Sequence, residues 1–135
     1  MTRLTRFRHD GLVFDVRDEG PVDGDPVVLL HGFPERSTCW RDVAPLLHAR
    51  GLRTYAPDQR GYSPGARPRR RRDHTIPKLV GDVVALIETI GRPVHLVGHD
   101  WGATVGWMVA ATTRRWSAAG PRCPCRTRRR WSARG

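Results

Sequence analysis

The sequence predicts an α/β fold, a mostly parallel sheet of about five strands with flanking helices, and three observations carry that expectation. Val27-Val28-Leu29-Leu30 is an unbroken apolar run of strand length, which suits a strand covered on both faces. Ile76, Leu79, Val80, Val83, Val84, Ile87 and Ile90 recur at helical spacing and trace one face of a helix. Val94-His95-Leu96-Val97 is a second short, mostly apolar segment, and it runs directly into a glycine-flanked turn and a further helical pattern. Strands alternating with helices in this order build a parallel sheet through crossover connections.

From the N-terminus, residues 5–9 and 12–17 read as two extended segments around Asp10-Gly11, a hairpin signal, with Leu12, Phe14 and Val16 alternating with Val13, Asp15 and Arg17. A turn follows at Gly20 to Pro26, then the Val27–Leu30 strand. Thr38 to Arg50 places Trp40, Val43, Leu46 and Leu47 on one face and is expected to be a helix, capped by Ser37 or Thr38 and ended by Gly51. Leu52 to Pro57 reads as a strand, and residues 64–74 as a polar loop in which Arg69-Arg70-Arg71-Arg72 is a solvated surface. The helix through Ile76–Ile90 is ended by Gly91, Pro93 to Val97 is the next strand, and Trp101 to about Thr112 is a helix carrying Val105, Met108 and Val109. These residues, 1–112, make one partial domain. Residues 113–135 contain no Leu, Ile, Val or Phe and bury too little apolar surface to offset their chain entropy, so they are expected to be a disordered tail.

Charge follows the same division. Of the net charge of +11, the tail holds +8, from eight arginines and no acid, and residues 1–112 carry only +3. The affinity for nucleic acid that a basic chain suggests therefore attaches to the tail alone, as weak and nonspecific polyanion binding. No apolar run approaches the ~20 residues a membrane span needs, and the first residues lack the apolar core of a secretory leader. Three cysteines make no disulfide framework, and Cys123 and Cys125, two apart with no histidine near, make no metal site. The expected compartment is the cytoplasm.

The chemistry gathers at Gly98-His99-Asp100-Trp101-Gly102. Glycines on either side of the central residue suit a turn in which backbone meets backbone and a Cβ would clash. The pattern places Asp100 where a sharp strand-to-helix turn presents a nucleophile, and a carboxylate is already ionised at neutral pH and needs no base. With His31-Gly32-Phe33-Pro34-Glu35 and Asp58-Gln59-Arg60-Gly61-Tyr62-Ser63 upstream, the chain resembles the epoxide hydrolases of the α/β-hydrolase superfamily over residues 5–112. The resemblance implies that Asp100 attacks an epoxide to form an alkyl-enzyme ester, which water cleaves to a diol. It further implies that the backbone N–H groups of Phe33 and Trp101 form the oxyanion hole, with His31, Gly32, Pro34, Gly98, His99 and Gly102 in support. It implies a small-molecule substrate and no cofactor or metal. Each residue has a plainer role to set beside this. Asp100 could cap a helix, His31 and Asp58 and Arg60 could hold loops, and Trp101 could pack in a core. Strand alternation points His99 away from the site. Haloalkane dehalogenases are the nearest alternative, but they usually carry Asn where Phe33 stands.

The resemblance also exposes a departure. The superfamily order is nucleophile, acid, histidine, and the 35 residues after Asp100 contain no Asp, Glu or His. The tyrosines that the family's cap domain supplies to the epoxide oxygen have no counterpart either. The tail's vocabulary of Arg, Ala, Ser, Gly, Pro, Trp and Cys is that of a GC-rich coding region in the wrong frame, so a truncation or frameshift near residue 113 is expected, with turnover lost. The alternative class is a non-enzymatic fragment acting through its basic tail.

Overall fold

The computed structural model describes residues 2–116, with side chains through residue 112. Strands β1 (Arg6–His9) and β2 (Leu12–Glu19) form the N-terminal hairpin, and Asp10 and Gly11 turn it with φ of 53° and 71°. β3 (Asp25–Leu30), β4 (Leu52–Pro57) and β5 (His95–Gly98) follow, with α1 (Ala44–His48), α2 (Ile76–Ile90) and α3 (Trp101–Trp116) interleaved. The five strands lie in the order β1-β2-β4-β3-β5. The sheet is mixed: β3 runs parallel to β4 and to β5, whereas β2 is antiparallel to both β1 and β4.

The alternation along β3 divides the core. Val27 and Leu29 face one side, where Ala44 of α1, Ala56, Trp40 and Leu47 pack on them. Val28 and Leu30 face the other, against Phe14, Leu86 and Ile87 of α2 and Val105 and Val109 of α3. Both sides are buried, which is why β3 reads as a continuous apolar run. Because α1 lies on one face and α2 and α3 on the other, the chain leaves β3 in one direction and returns beside it from the opposite one. The carboxyl ends of β3 and β5 therefore border a crevice at the point where strand order reverses, the usual location for chemistry in an open α/β sheet.

Several elements depart from the expected bounds. The helix expected over Thr38 to Arg50 is two pieces, a 3-10 turn at Ser37–Trp40 and then α1. Pro45 is the cause, since inside a continuous helix it would remove a hydrogen bond and clash with the carbonyl four residues back, whereas near a helix start it is harmless. Neither Ser37 nor Thr38 caps through its side chain. The polar loop contains a short 3-10 turn at Arg71–Asp73. α3 runs to Trp116, past the expected end at Thr112. The expectations for the rest of the tail, Cys123 and Cys125 included, lie outside the described residues. Among the described residues no helix is long and apolar enough to cross a membrane.

Candidate active site

β5 delivers Asp100 to the crevice. The His99 N–H donates to the Leu30 carbonyl at 3.1 Å, so the parallel ladder of β3 and β5 extends one residue past the strand before the chain turns. Asp100 then takes a left-handed conformation, φ 56°, and α3 starts at the next residue. Such a conformation is unfavourable for a residue with a Cβ and persists only where its surroundings enforce it. The enforcement comes from the glycines. A Cβ on Gly98 would lie 2.5 Å from the Gly102 carbonyl oxygen and 2.7 Å from the Ala103 Cα, and a Cβ on Gly102 would run into the backbone carbonyl of Leu30. Only hydrogen at both positions lets α3 start directly against the end of β3.

The loop after β3 closes on the same residue. Gly32 lies so near that a Cβ there would stand 2.5 Å from the Asp100 Cβ. The next N–H, that of Phe33, donates to Asp100 Oδ2 at 3.0 Å. The Trp101 N–H also faces the carboxylate, and the Phe33 and Trp101 N–H groups, in that order, hold the Asp100 carboxyl below the usual carboxylate range. A capping aspartate instead directs its carboxylate to the second or third N–H of its helix. Here the Gly102 N–H is taken by the His99 carbonyl, and the Ala103 N–H by the Asp100 carbonyl. The carboxylate looks across the crevice rather than along α3.

His31 is buried, and its two nitrogens are both engaged. The Gln59 N–H donates to Nε2 at 3.0 Å, so the ring proton is on Nδ1, 3.0 Å from the Gly32 carbonyl. Burial lowers its pKa, and the Tyr62 ring packs against it in a T-shaped contact with centroids 4.8 Å apart. An imidazole so bound holds a loop and has no nitrogen left for a water. Pro34 follows Phe33 through a cis peptide. Asp58 accepts the Ser37 N–H at 2.8 Å, and Arg60 forms a two-pronged pair with Asp82 at 2.8 Å, so both hold neighbouring elements. The rings of Phe33 and Trp101 stand open, 67% and 56% exposed, and neither is core. His99 is exposed and turned toward Glu35, Nδ1 to Oε2 3.6 Å.

Two contributors escaped the sequence reading. Glu35 was seen only as part of a stretch, yet it places a carboxylate beside His99. Gln59, read only as part of a loop motif, supplies two hydrogen bonds to His31. A hollow lined by Arg6, Phe7, Arg8, Val13, Pro64 and Gly65 lies at the hairpin and shares no residue with the crevice.

A model of the alpha/beta hydrolase family matches residues 27–134. Epoxide hydrolase B of Mycobacterium tuberculosis is 45% identical over 97 residues, covering 70% of this chain and 27% of that protein. Epoxide hydrolase A of the same organism is 39% identical over 99 residues, covering 73% of this chain and 31% of its own length. The crystal structure of an epoxide hydrolase from Vigna radiata superposes with a TM-score of 0.75 at 42% identity, over 81% of this chain and 35% of that one. The matched stretch thus spans between a quarter and about a third of these relatives.

Proposed function

The chain belongs to the alpha/beta hydrolase family, and we propose that it carries the nucleophile and oxyanion donors of an epoxide hydrolase, with Asp100 as the attacking group. The observation behind this reading is the convergence of the Phe33 and Trp101 N–H groups on the carboxylate of a residue held at φ 56°. The epoxide-hydrolase names of the similar proteins support the choice of substrate class.

The geometry divides the work between the two carboxylate oxygens. Oδ2 is held by the Phe33 N–H, which leaves Oδ1 as the attacking atom. Oδ1 bonds to an epoxide carbon, the carbon–oxygen bond of the ring breaks, and the released oxygen takes a proton from an acid or solvent. The product is an ester whose carbonyl oxygen is Oδ2. Water then adds to Cγ, and negative charge gathers on Oδ2, where the Phe33 N–H already lies. That donor needs no rearrangement at that step, and one such donor contributes about 3–4 kcal/mol to lowering a barrier of this kind. Collapse of the intermediate releases the diol and restores the carboxylate, once a base has removed the proton of the water.

The first half-reaction gives the test. Incubation of the purified chain with a styrene-type epoxide should add one epoxide mass per chain, located by peptide mapping to Asp100 and absent from Asp100→Ala. Labelling at another residue, or labelling unchanged in Asp100→Ala, would overturn the assignment.

A further inference from the structure

Three consecutive residues after β4 each grip a different part of the molecule. Arg60 reaches back to α2 and the hairpin, through Asp82 at 2.8 Å and Asp10 at 3.3 Å, and also binds the Asp73 carbonyl at 2.9 Å. Asp58 holds the Ser37 N–H at 2.8 Å. Gln59, between them, takes His31 at two points: its N–H donates to the ring Nε2 at 3.0 Å, and its side-chain Nε2 donates to the His31 carbonyl at 2.6 Å. The segment carrying Phe33 is thus held at its start by Gln59 and at its end by Asp58. In between, the Glu35 N–H closes a tight turn on the Gly32 carbonyl at 2.9 Å.

We propose that Gln59 is a positioning residue, which by clamping His31 at ring and carbonyl fixes the Gly32-Phe33 backbone and so sets the Phe33 N–H on Asp100 Oδ2. The steric situation makes the coupling tight. Gly32 packs directly on Asp100, so a displacement of His31 has no slack to absorb it before the donor moves. Gln59 is itself buried, and its side-chain amide has a backbone carbonyl as partner, so the contact is not exchanged with solvent. Arg60 supplies the rigid footing: its side chain is 1% exposed and its guanidinium is bound by two carboxylates and a carbonyl. The positioning itself is independent of what Asp100 does. Its catalytic consequence rests on the reading of Asp100 as a nucleophile.

The experiment uses the full 135-residue chain, labelled with nitrogen-15 and with carbon-13 at aspartate side chains, in dilute solution. Gln59→Met keeps the length of the side chain and loses its donor. In it the Phe33 amide proton should move upfield and exchange faster, and the Asp100 carboxyl should titrate closer to the ordinary carboxylate value. Val94→Ala, which opens the core before the start of β5, at the end of the strand away from Asp100, and destabilises without touching the clamp, should leave both signals in place. Equal effects in the two variants, or no effect in Gln59→Met, would overturn the proposal. Gln59→Glu retains shape and sets a carboxylate against the His31 carbonyl, so it should act in the same direction and serves if Gln59→Met does not fold. In the parent chain the Gln59 side-chain amide protons should exchange slowly, and rapid exchange there would count against the clamp without any variant. Epoxide labelling is scored separately. A parent chain that is never labelled would remove the nucleophile reading, and the amide and titration data would still decide the role of Gln59.

Discussion

Asp100 is the residue at which conformation and chemistry meet. Its left-handed backbone is unfavourable for any residue with a Cβ, so the proposed nucleophile role and stability are opposed at this position. Asp100→Gly should therefore raise the urea midpoint above that of Asp100→Ala, since both remove the carboxylate but only glycine relieves the backbone. Equal midpoints would mean the turn is unstrained. The donors make a second prediction. The Phe33 and Trp101 N–H groups lower the Asp100 pKa, so the reactive carboxylate persists as the pH falls through the ordinary range, and labelling is lost only on passing through the depressed value. Carbon-13 titration of the Asp100 side chain and the pH profile of labelling should share one midpoint, lying below that of an unperturbed aspartate. At this scale the sequence was legible where the logic is local. Two glycines around one residue announce a tight turn, and the structure places clashing backbone against both. Gln59 and Glu35 were not legible because their partners are far off in the chain. The parallel register that sets Val28 beside Tyr55 also carries His31 toward Asp58 and Gln59, and that juxtaposition exists only once the strands are paired.

At the scale of elements, an amphipathic helix with a glycine stop could be read directly. α2 spans Ile76–Ile90 and ends on Gly91 at φ 70°. A helix interrupted by proline was misread, because the apolar spacing of Trp40, Val43, Leu46 and Leu47 survives the break while the hydrogen-bond pattern does not. Buried ion pairs were invisible as well, since nothing in the sequence says which charges fold inward. Asp18 on β2 and Arg53 on β4 join the two antiparallel strands through bonds of 2.7 and 2.5 Å, with side chains that are 0% and 6% exposed. Burial opposes ionisation of Asp18, but Arg53, the Leu4 N–H and Arg3 outweigh it and hold its carboxyl below the ordinary value. A depressed carboxylate stabilises the fold above the unfolded pKa, and the benefit is lost as the pH falls through the folded value. Arg53→Met leaves that charge buried without its main partner and should cost about 3–5 kcal/mol near neutrality in urea denaturation. The deficit relative to the parent should shrink in acid, where Asp18 is neutral in both chains. A deficit independent of pH would mean that Arg53 acts through its packing on Tyr55 instead.

For the molecule as a whole, the proposed chemistry needs a base as well as a nucleophile at the reversal of strand order. Among the described residues β5 is an edge strand, and beside it α3 turns Trp101, Thr104, Trp107 and Met108 outward, with Trp107 78% exposed. An open edge next to an apolar stripe favours self-association, so the sizing profile should shift with concentration, and Trp107→Lys should move it toward monomer. A monomer peak unchanged by dilution would refute this. Catalysis meets a stricter limit. All six histidines, His9, His31, His48, His74, His95 and His99, precede Asp100, and no carboxylate follows it. His31 has both nitrogens bound, and His99, beside Glu35, is the exposed imidazole adjoining the proposed nucleophile. Loss of a general base lowers rates by about 10²–10⁴-fold, so ester formation should outrun ester hydrolysis and the chain should stall as the adduct. With a styrene-type epoxide, diol should not exceed one equivalent while adduct mass on Asp100 persists. Diol accumulating past that point, and abolished by Asp100→Ala, would show that a base operates. If His99→Gln then removed the excess, the base would be His99, beside Glu35; if it did not, Glu35→Gln would separate the Glu35 carboxylate from direct transfer to solvent.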